Sequence, residues 1–245
     1  MLRPWTVTDV ALESIAAGGG WLQTSPEVFL KTLLAAGAPS LYSLGPCFRA
    51  DEAGRLHNPE FTMLEWYRLG WDDAKLIDEV GELLDSVLGP APLQRHCYTD
   101  VVAGLDLDSP DNIAQSVLLD AGLRRLGDGR HVVTDYPADQ AALARLRPGD
   151  PSCAARFEVV IDGVEIANGY WESVDAEELA ARFEADRVRR RELGLPAVDI
   201  DPTFMAAMRA GLPDCAGVAL GVDRLLMLRE SYASLDPALP GWRLS

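Results

Sequence analysis

Glu60-Phe61-Thr62-Met63-Leu64-Glu65-Trp66-Tyr67-Arg68-Leu69 is a run of β-formers long enough for a full strand, and Leu41 to Phe48 upstream reads the same way. Between them, Arg49 to Pro59 is polar and contains glycine, so the pair reads as an antiparallel hairpin with a long loop. The final third repeats the arrangement: RFEVVID is a strand, Gly163 turns the chain, and EIANGYWE (165–172) runs back. No internal repeat and no strand-helix-strand rhythm competes with these hairpins. Antiparallel pairing therefore dominates this reading.

Helix signals surround the strands. Ser25-Pro26-Glu27 reads as a serine N-cap, a proline at the first helical position and an acid in the first turn, with Gly37 as the stop. From Asp72, Leu76, Ile77, Val80, Leu83, Leu84, Val87 and Leu88 follow helical spacing up to Gly89-Pro90. Asp175-x-x-Glu178 opens a charged helix through Arg191, closed by Gly194, and Asp201-Pro202 opens a shorter one closed by Gly211. Cys215 to Leu220 is a small-residue strand that turns at Gly221 into a helix. Residues 90–150 carry the least pattern: helices are expected near Asn112 to Leu126 and Asp139 to Leu146 around a strand-like HVVTDY, and the stretch reads as a candidate insertion or lid in a single domain spanning 1–245.

The chain has 245 residues, 48% apolar and 24% charged, which suits a packed globular protein and excludes disorder. No apolar run approaches the roughly 18 residues of a membrane span, and the start lacks the pattern of a signal peptide, so the expected location is the cytoplasm. Cys47, Cys97, Cys153 and Cys215 are widely spaced and read as reduced thiols. With 38 acidic against 22 basic residues, the formal charge of −16 repels phosphate backbones and argues against non-specific nucleic-acid binding.

Two clusters stand out. Arg49, Asp51, Glu52, Arg55 and His57 crowd the loop of the first hairpin, and Glu165, Asn168 and Glu172 crowd the last strand of the second. Strict alternation along 60–69 puts Phe61, Met63, Glu65 and Tyr67 on one face and Thr62, Leu64, Trp66 and Arg68 on the other. An unpaired carboxylate in a sheet core costs several kcal/mol, so Glu65 and Glu165 call for a cation or a polar cavity. Carboxylates and an amide without histidine or cysteine suit Mg²⁺ and a phosphate ligand. Glu165 and Glu172 fall on opposite faces of a regular strand, and joint action on one ion therefore requires an irregularity, expected at Asn168-Gly169. Gly217-x-x-x-Gly221 allows a planar group close to the backbone, with Arg224 in reach of a phosphate. Taken singly, each feature is equally an ion pair or a packing glycine. No activated nucleophile is evident, and the ensemble suits phosphoryl or nucleotidyl chemistry run by positioning and electrostatics.

Phe48-Arg49-Ala50-Asp51-Glu52, His57-Asn58-Pro59-Glu60-Phe61-Thr62-Met63-Leu64-Glu65 and Gly217-Val218-Ala219-Leu220-Gly221-Val222-Asp223-Arg224 resemble motifs 2 and 3 of the class II aminoacyl-tRNA synthetases, in the lysyl branch. Within it the chain is similar, from about Val7 to Leu228, to short paralogues that attach (R)-β-lysine to a lysine side chain of elongation factor P. The resemblance implies an ATP-dependent, AMP-forming ligase with the α+β class II catalytic fold, an antiparallel sheet flanked by helices. Arg49 would grip the α-phosphate and Arg224 the γ-phosphate, both as catalytic groups. Ala50, Asp51, Asn58, Ile166 and Gly221 would complete the ATP site, and Glu165 and Glu172 would hold Mg²⁺. Ser25, Pro26, Glu27, Tyr67, Glu172 and Ala219 would shape a pocket for (R)-β-lysine or lysine. Ala219 stands where the synthetases carry glycine, and its methyl would disfavour α-lysine by about 1–3 kcal/mol. Asp51 replaces the glutamate expected there. Elongation factor P is the implied partner, and the acidic balance offers little to tRNA. Motif 1, through which such enzymes dimerise, is not found before residue 1; this puts a homodimer in question and leads one to expect an apolar surface or an unpaired strand edge where it would pack. The rival readings are an adenylating enzyme of this fold with another acceptor and a non-catalytic paralogue serving as a binding module.

Overall fold

The structure is a computed structural model and describes residues 2–50, 52–105 and 112–239. In chain order its elements are β1 (Leu2–Arg3), β2 (Ala16–Ala17), β3 (Gly20–Leu22), α1 (Glu27–Ala35), β4 (Leu41–Phe48), β5 (Glu60–Leu69), α2 (Asp73–Leu88), β6 (Leu93–Cys97), α3 (Tyr98–Val102) and α4 (Asn112–Leu126). There follow β7 (Arg130–Pro137), β8 (Leu146–Arg147), β9 (Asp150–Ile161), β10 (Val164–Trp171), α5 (Ala176–Glu192), α6 (Pro202–Gly211), β11 (Cys215–Gly221) and α7 (Val222–Arg229). These fall into two compact units, one of residues 1–69, 174–214 and 221–245, the other of residues 70–173 and 215–220.

In the first unit β4 and β5 pair antiparallel without interruption from Leu41↔Tyr67 to Phe48↔Glu60. Helix α1 packs on β4 and α6, α5 on α6, and α7 on β5. On β4 the side chains of Tyr42 and Leu44 are exposed, and at its end the Phe48 amide donates to the Gln23 carbonyl at 2.9 Å. The N-terminal segment is buckled to α5 by Arg190, whose side chain is buried. Arg190 donates to the Pro196 carbonyl at 3.0 Å, the Asp9 carbonyl at 2.9 Å and the Glu13 carboxylate at 2.9 Å.

Asp186 on α5 receives the Thr8 hydroxyl at 3.1 Å, and burial, reinforced by the charge of Asp9 and eased by Arg190, pushes its carboxyl up to about 6. The folded chain therefore holds this proton more tightly than the unfolded chain, and stability from this group is full below about pH 4 and is lost as pH rises through 6. Asp186→Asn should raise stability at pH 7–8 by about 1 kcal/mol, the group being partly solvated, with the gain vanishing below pH 4. Denaturant melts across that range measure it.

In the second unit β11, β10, β9 and β7 pair antiparallel in that order, and β6 adds to β7 in parallel. Residues 90–150 thus lend this sheet β6, β7 and the short β8, which pairs with β9. Helix α2 starts at Asp72, whose carboxylate caps the Lys75 amide, and its Leu76, Ile77, Val80 and Leu84 are fully buried, each contributing roughly 1.5–3 kcal/mol. Arg130 locks the end of α2 through Asp85 and the Gly89 carbonyl, both at 2.6 Å. Helix α3 packs on α4 and β7. The helix expected over Asp139 to Leu146 does not form: a single turn at Ala138–Gln140 is followed by Ala142 at φ 48°, and the chain turns back so that Leu146 pairs with Ala154. A left-handed residue cannot continue a right-handed helix.

Candidate active site

The first unit assembles the long-looped hairpin and the start of α7. The Arg49 amide donates to the Pro59 carbonyl at 2.9 Å, closing the loop, and the Asn58 side chain donates to the Glu60 carbonyl at 2.6 Å. The Ala50 amide is held by the Glu13 carbonyl at 2.9 Å. The Arg49 guanidinium lies over the Phe61 ring at 5.0 Å and 3.5 Å from Glu52, and its buried Nε has no hydrogen-bond partner among the described residues. Arg224 reaches the same loop from α7: Nε donates to the Leu56 carbonyl at 3.1 Å and Nη2 lies 2.9 Å from His57 Nε2. A guanidinium can only donate, so His57 accepts on Nε2, and burial followed by the Arg224 charge lowers its pKa. Asp223 sets the start of α7 against β5 by accepting the Thr62 amide at 2.6 Å. Gly221 is the N-cap of α7. Asp51 lies outside the described residues.

Strand β5 and helix α1 of the same unit carry buried charged side chains. Tyr67 donates to Glu65 at 2.8 Å, so the two share a face of β5 as alternation requires, and both are buried. Helix α1 begins at Glu27 with Pro26 as its cap, one residue later than read from the sequence; Ser25 Oγ accepts the Glu27 amide at 3.4 Å. Cys47 is no nucleophile, since burial and then the Glu65 charge push its thiol up to about 12. Sequence reasoning missed Lys31, whose side chain is 2% exposed, pairs with Glu27 at 2.5 Å and lies 6.0 Å from the centre of the Tyr67 ring. Its i,i+4 spacing from Glu27 was the available signal.

The second unit carries the acids. The irregularity expected at Asn168-Gly169 falls instead at Ile166, where the register of β10 on β9 shifts between Glu165 and Ala167. Asn168 and Gly169 pair regularly on both sides. Gly169 serves packing: a Cβ there would meet the Phe157 ring at 2.3 Å and the Gly217 carbonyl at 2.9 Å. The extra residue reverses parity, so Glu165, Asn168, Tyr170 and Glu172 share one face, with Ala219 opposite Asn168 on β11. Glu165 is exposed and does not carry the burial cost foreseen for it; Glu172 is buried. Asn168 donates to Glu158 at 3.4 Å, while its buried Oδ1 has no hydrogen-bond partner among the described residues. Glu158, next to Arg156 at 2.5 Å, is raised by burial first and by Glu165 among its neighbours. This face, with two carboxylates and an orphaned amide oxygen, fits a hard cation.

An α+β fold of antiparallel hairpins flanked by helices, with an arginine-bearing looped hairpin and a glycine strand that turns into an arginine-bearing helix, defines a class II aminoacyl-tRNA synthetase catalytic domain. Residues 3–238 match the family of tRNA synthetases class II (D, K and N), and the chain belongs to it. It is 41% identical over 269 residues to the elongation factor P--(R)-beta-lysine ligase of Vibrio cholerae, covering 94% of this chain and 83% of that protein. The ligases of that name from Photorhabdus laumondii and Klebsiella pneumoniae are 41% and 42% identical, each over 96% of this chain and 84% of theirs. Among the described residues no helix is long and apolar enough to cross a membrane.

Proposed function

We propose that the chain is an ATP-dependent ligase that adenylates (R)-β-lysine and transfers it to a lysine side chain of elongation factor P. The observation that carries the reading is Arg224 of α7 reaching His57 on the loop that Arg49 opens, two guanidiniums and a neutral imidazole where a triphosphate would be held. Arg49 takes the α-phosphate, Arg224 the γ-phosphate, and Ala50, Asp51, Asn58, Ile166 and Gly221 serve the rest of the nucleotide. Ser25, Pro26, Glu27, Tyr67, Glu172 and Ala219 receive the amino acid. Glu165 and Glu172 would hold Mg²⁺, which supplies charge neutralisation on the phosphates when bound.

The substrate carboxylate attacks the α-phosphorus in line, forming the aminoacyl adenylate and releasing pyrophosphate. Arg49 neutralises charge developing at the α-phosphate, and Arg224 holds the departing end. The neutral amine of the acceptor lysine then attacks the carbonyl of the adenylate, its proton passes to solvent and AMP leaves. Neither step needs a protein nucleophile, in keeping with the suppressed Cys47 thiol.

The experiment is pyrophosphate exchange with (R)-β-lysine and α-lysine, followed by mass analysis of elongation factor P. Exchange favouring (R)-β-lysine, with one residue added to the factor, is the expected result. Exchange without a mass gain rejects the acceptor, and exchange with neither amino acid in folded protein rejects the ligase in favour of a binding role.

A further inference from the structure

Lys31 is among the most deeply buried charged side chains of the first unit and lies outside every role assigned above. An ammonium removed from water costs several kcal/mol unless paired, so a position that needed only packing would favour methionine or leucine. Glu27, one turn earlier on α1, is an ion-pair partner, with Nζ 2.5 Å from Oε1. The acid precedes the base, the favourable order along a helix. Glu27 keeps 23% of its side chain exposed, and its second oxygen, Oε2, receives no donor among the described residues. The same Nζ lies 6.0 Å from the centre of the Tyr67 ring, whose hydroxyl is committed to Glu65.

We propose that Lys31 is a positioning residue that sets amino-acid specificity by clamping Glu27, so that Oε2 is presented to an ammonium group of the substrate. The inference rests on the reading of this chain as an amino-acid ligase with Glu27 in the substrate pocket. Without the clamp, a half-buried glutamate at the helix start turns among rotamers toward water, and fixing it has to be repeated at each binding event. Lys31 also balances one of two carboxylates, keeping the pocket from holding an adventitious cation in place of the substrate.

The test is a double-mutant cycle of Lys31→Met and Glu27→Gln, read as separate KM values for (R)-β-lysine and ATP in pyrophosphate exchange. Lys31→Met is expected to raise the amino-acid KM by about tenfold, with the KM for ATP within about twofold. In the Glu27→Gln background the same change should add little, since the group it orients is gone. Additive effects, or a loss confined to kcat, overturn the proposal and leave Lys31 a packing residue. Should Lys31→Met prove insoluble, Lys31→Gln runs the same cycle. A wild-type protein that exchanges with no amino acid overturns the ligase reading itself, which separates that failure from this one.

Discussion

Arg49→Met should lower amino-acid-dependent pyrophosphate exchange by about 10³-fold while leaving the melting temperature within a few degrees. The guanidinium is built for an anion more than for the fold. Among the described residues its carboxylate contact, Glu52, is at 3.5 Å and partly solvated, a pair worth little to stability. The stacking on Phe61 and the main-chain closure of Arg49 on Pro59 fix where the head group sits before any ligand arrives. Preorganised charge of this kind acts mostly on the transition state, so the loss should appear in kcat as well as in kcat/KM. Arg49→Lys should recover only part, because an ammonium cannot match two phosphate oxygens at once. Exchange within tenfold of wild type in the methionine variant would sink the assignment.

The largest effect on stability is expected at Arg190. Arg190→Met should lower the free energy of unfolding by about 3–5 kcal/mol, read as a shift in the denaturant midpoint at unchanged slope. The variant leaves the carbonyls of Asp9 and Pro196 and the Glu13 carboxylate without their donor. Lysine at this position can reach at most one or two of these and should restore a minor share. Glu13 also holds the Ala50 amide through its carbonyl, so loosening the buckle reaches the catalytic loop and should raise the KM for ATP before it unfolds the chain.

Much of this architecture was legible from residue order. The hairpin strands 41–48 and 60–69 and the helix after Asp72 occur where β-formers, helical periodicity and caps place them, because those signals act over a few neighbours. The stretch after Pro137 was misread as helix, since its outcome is set by pairing of Leu146 with Ala154 and by one left-handed alanine. The need for an irregularity between Glu165 and Glu172 followed from parity alone. Its position did not, because Asn168-Gly169 looks like a break and is instead demanded by the Phe157 ring on the adjacent strand. Lys31 and Arg190 went unnoticed for a similar reason: burial of a charge is decided by residues remote in the chain, and nothing local distinguishes Arg190 from its neighbours Arg189 and Arg191.

The extra residue at Ile166 makes β10 sensitive to counting rather than to chemistry. Another apolar side chain at that point keeps every downstream group on its present side, whereas losing one codon there would invert the odd-even phase between Glu165 and the Asn168–Glu172 segment. Among descendants of this gene, drift in length at this point should therefore be nearly absent.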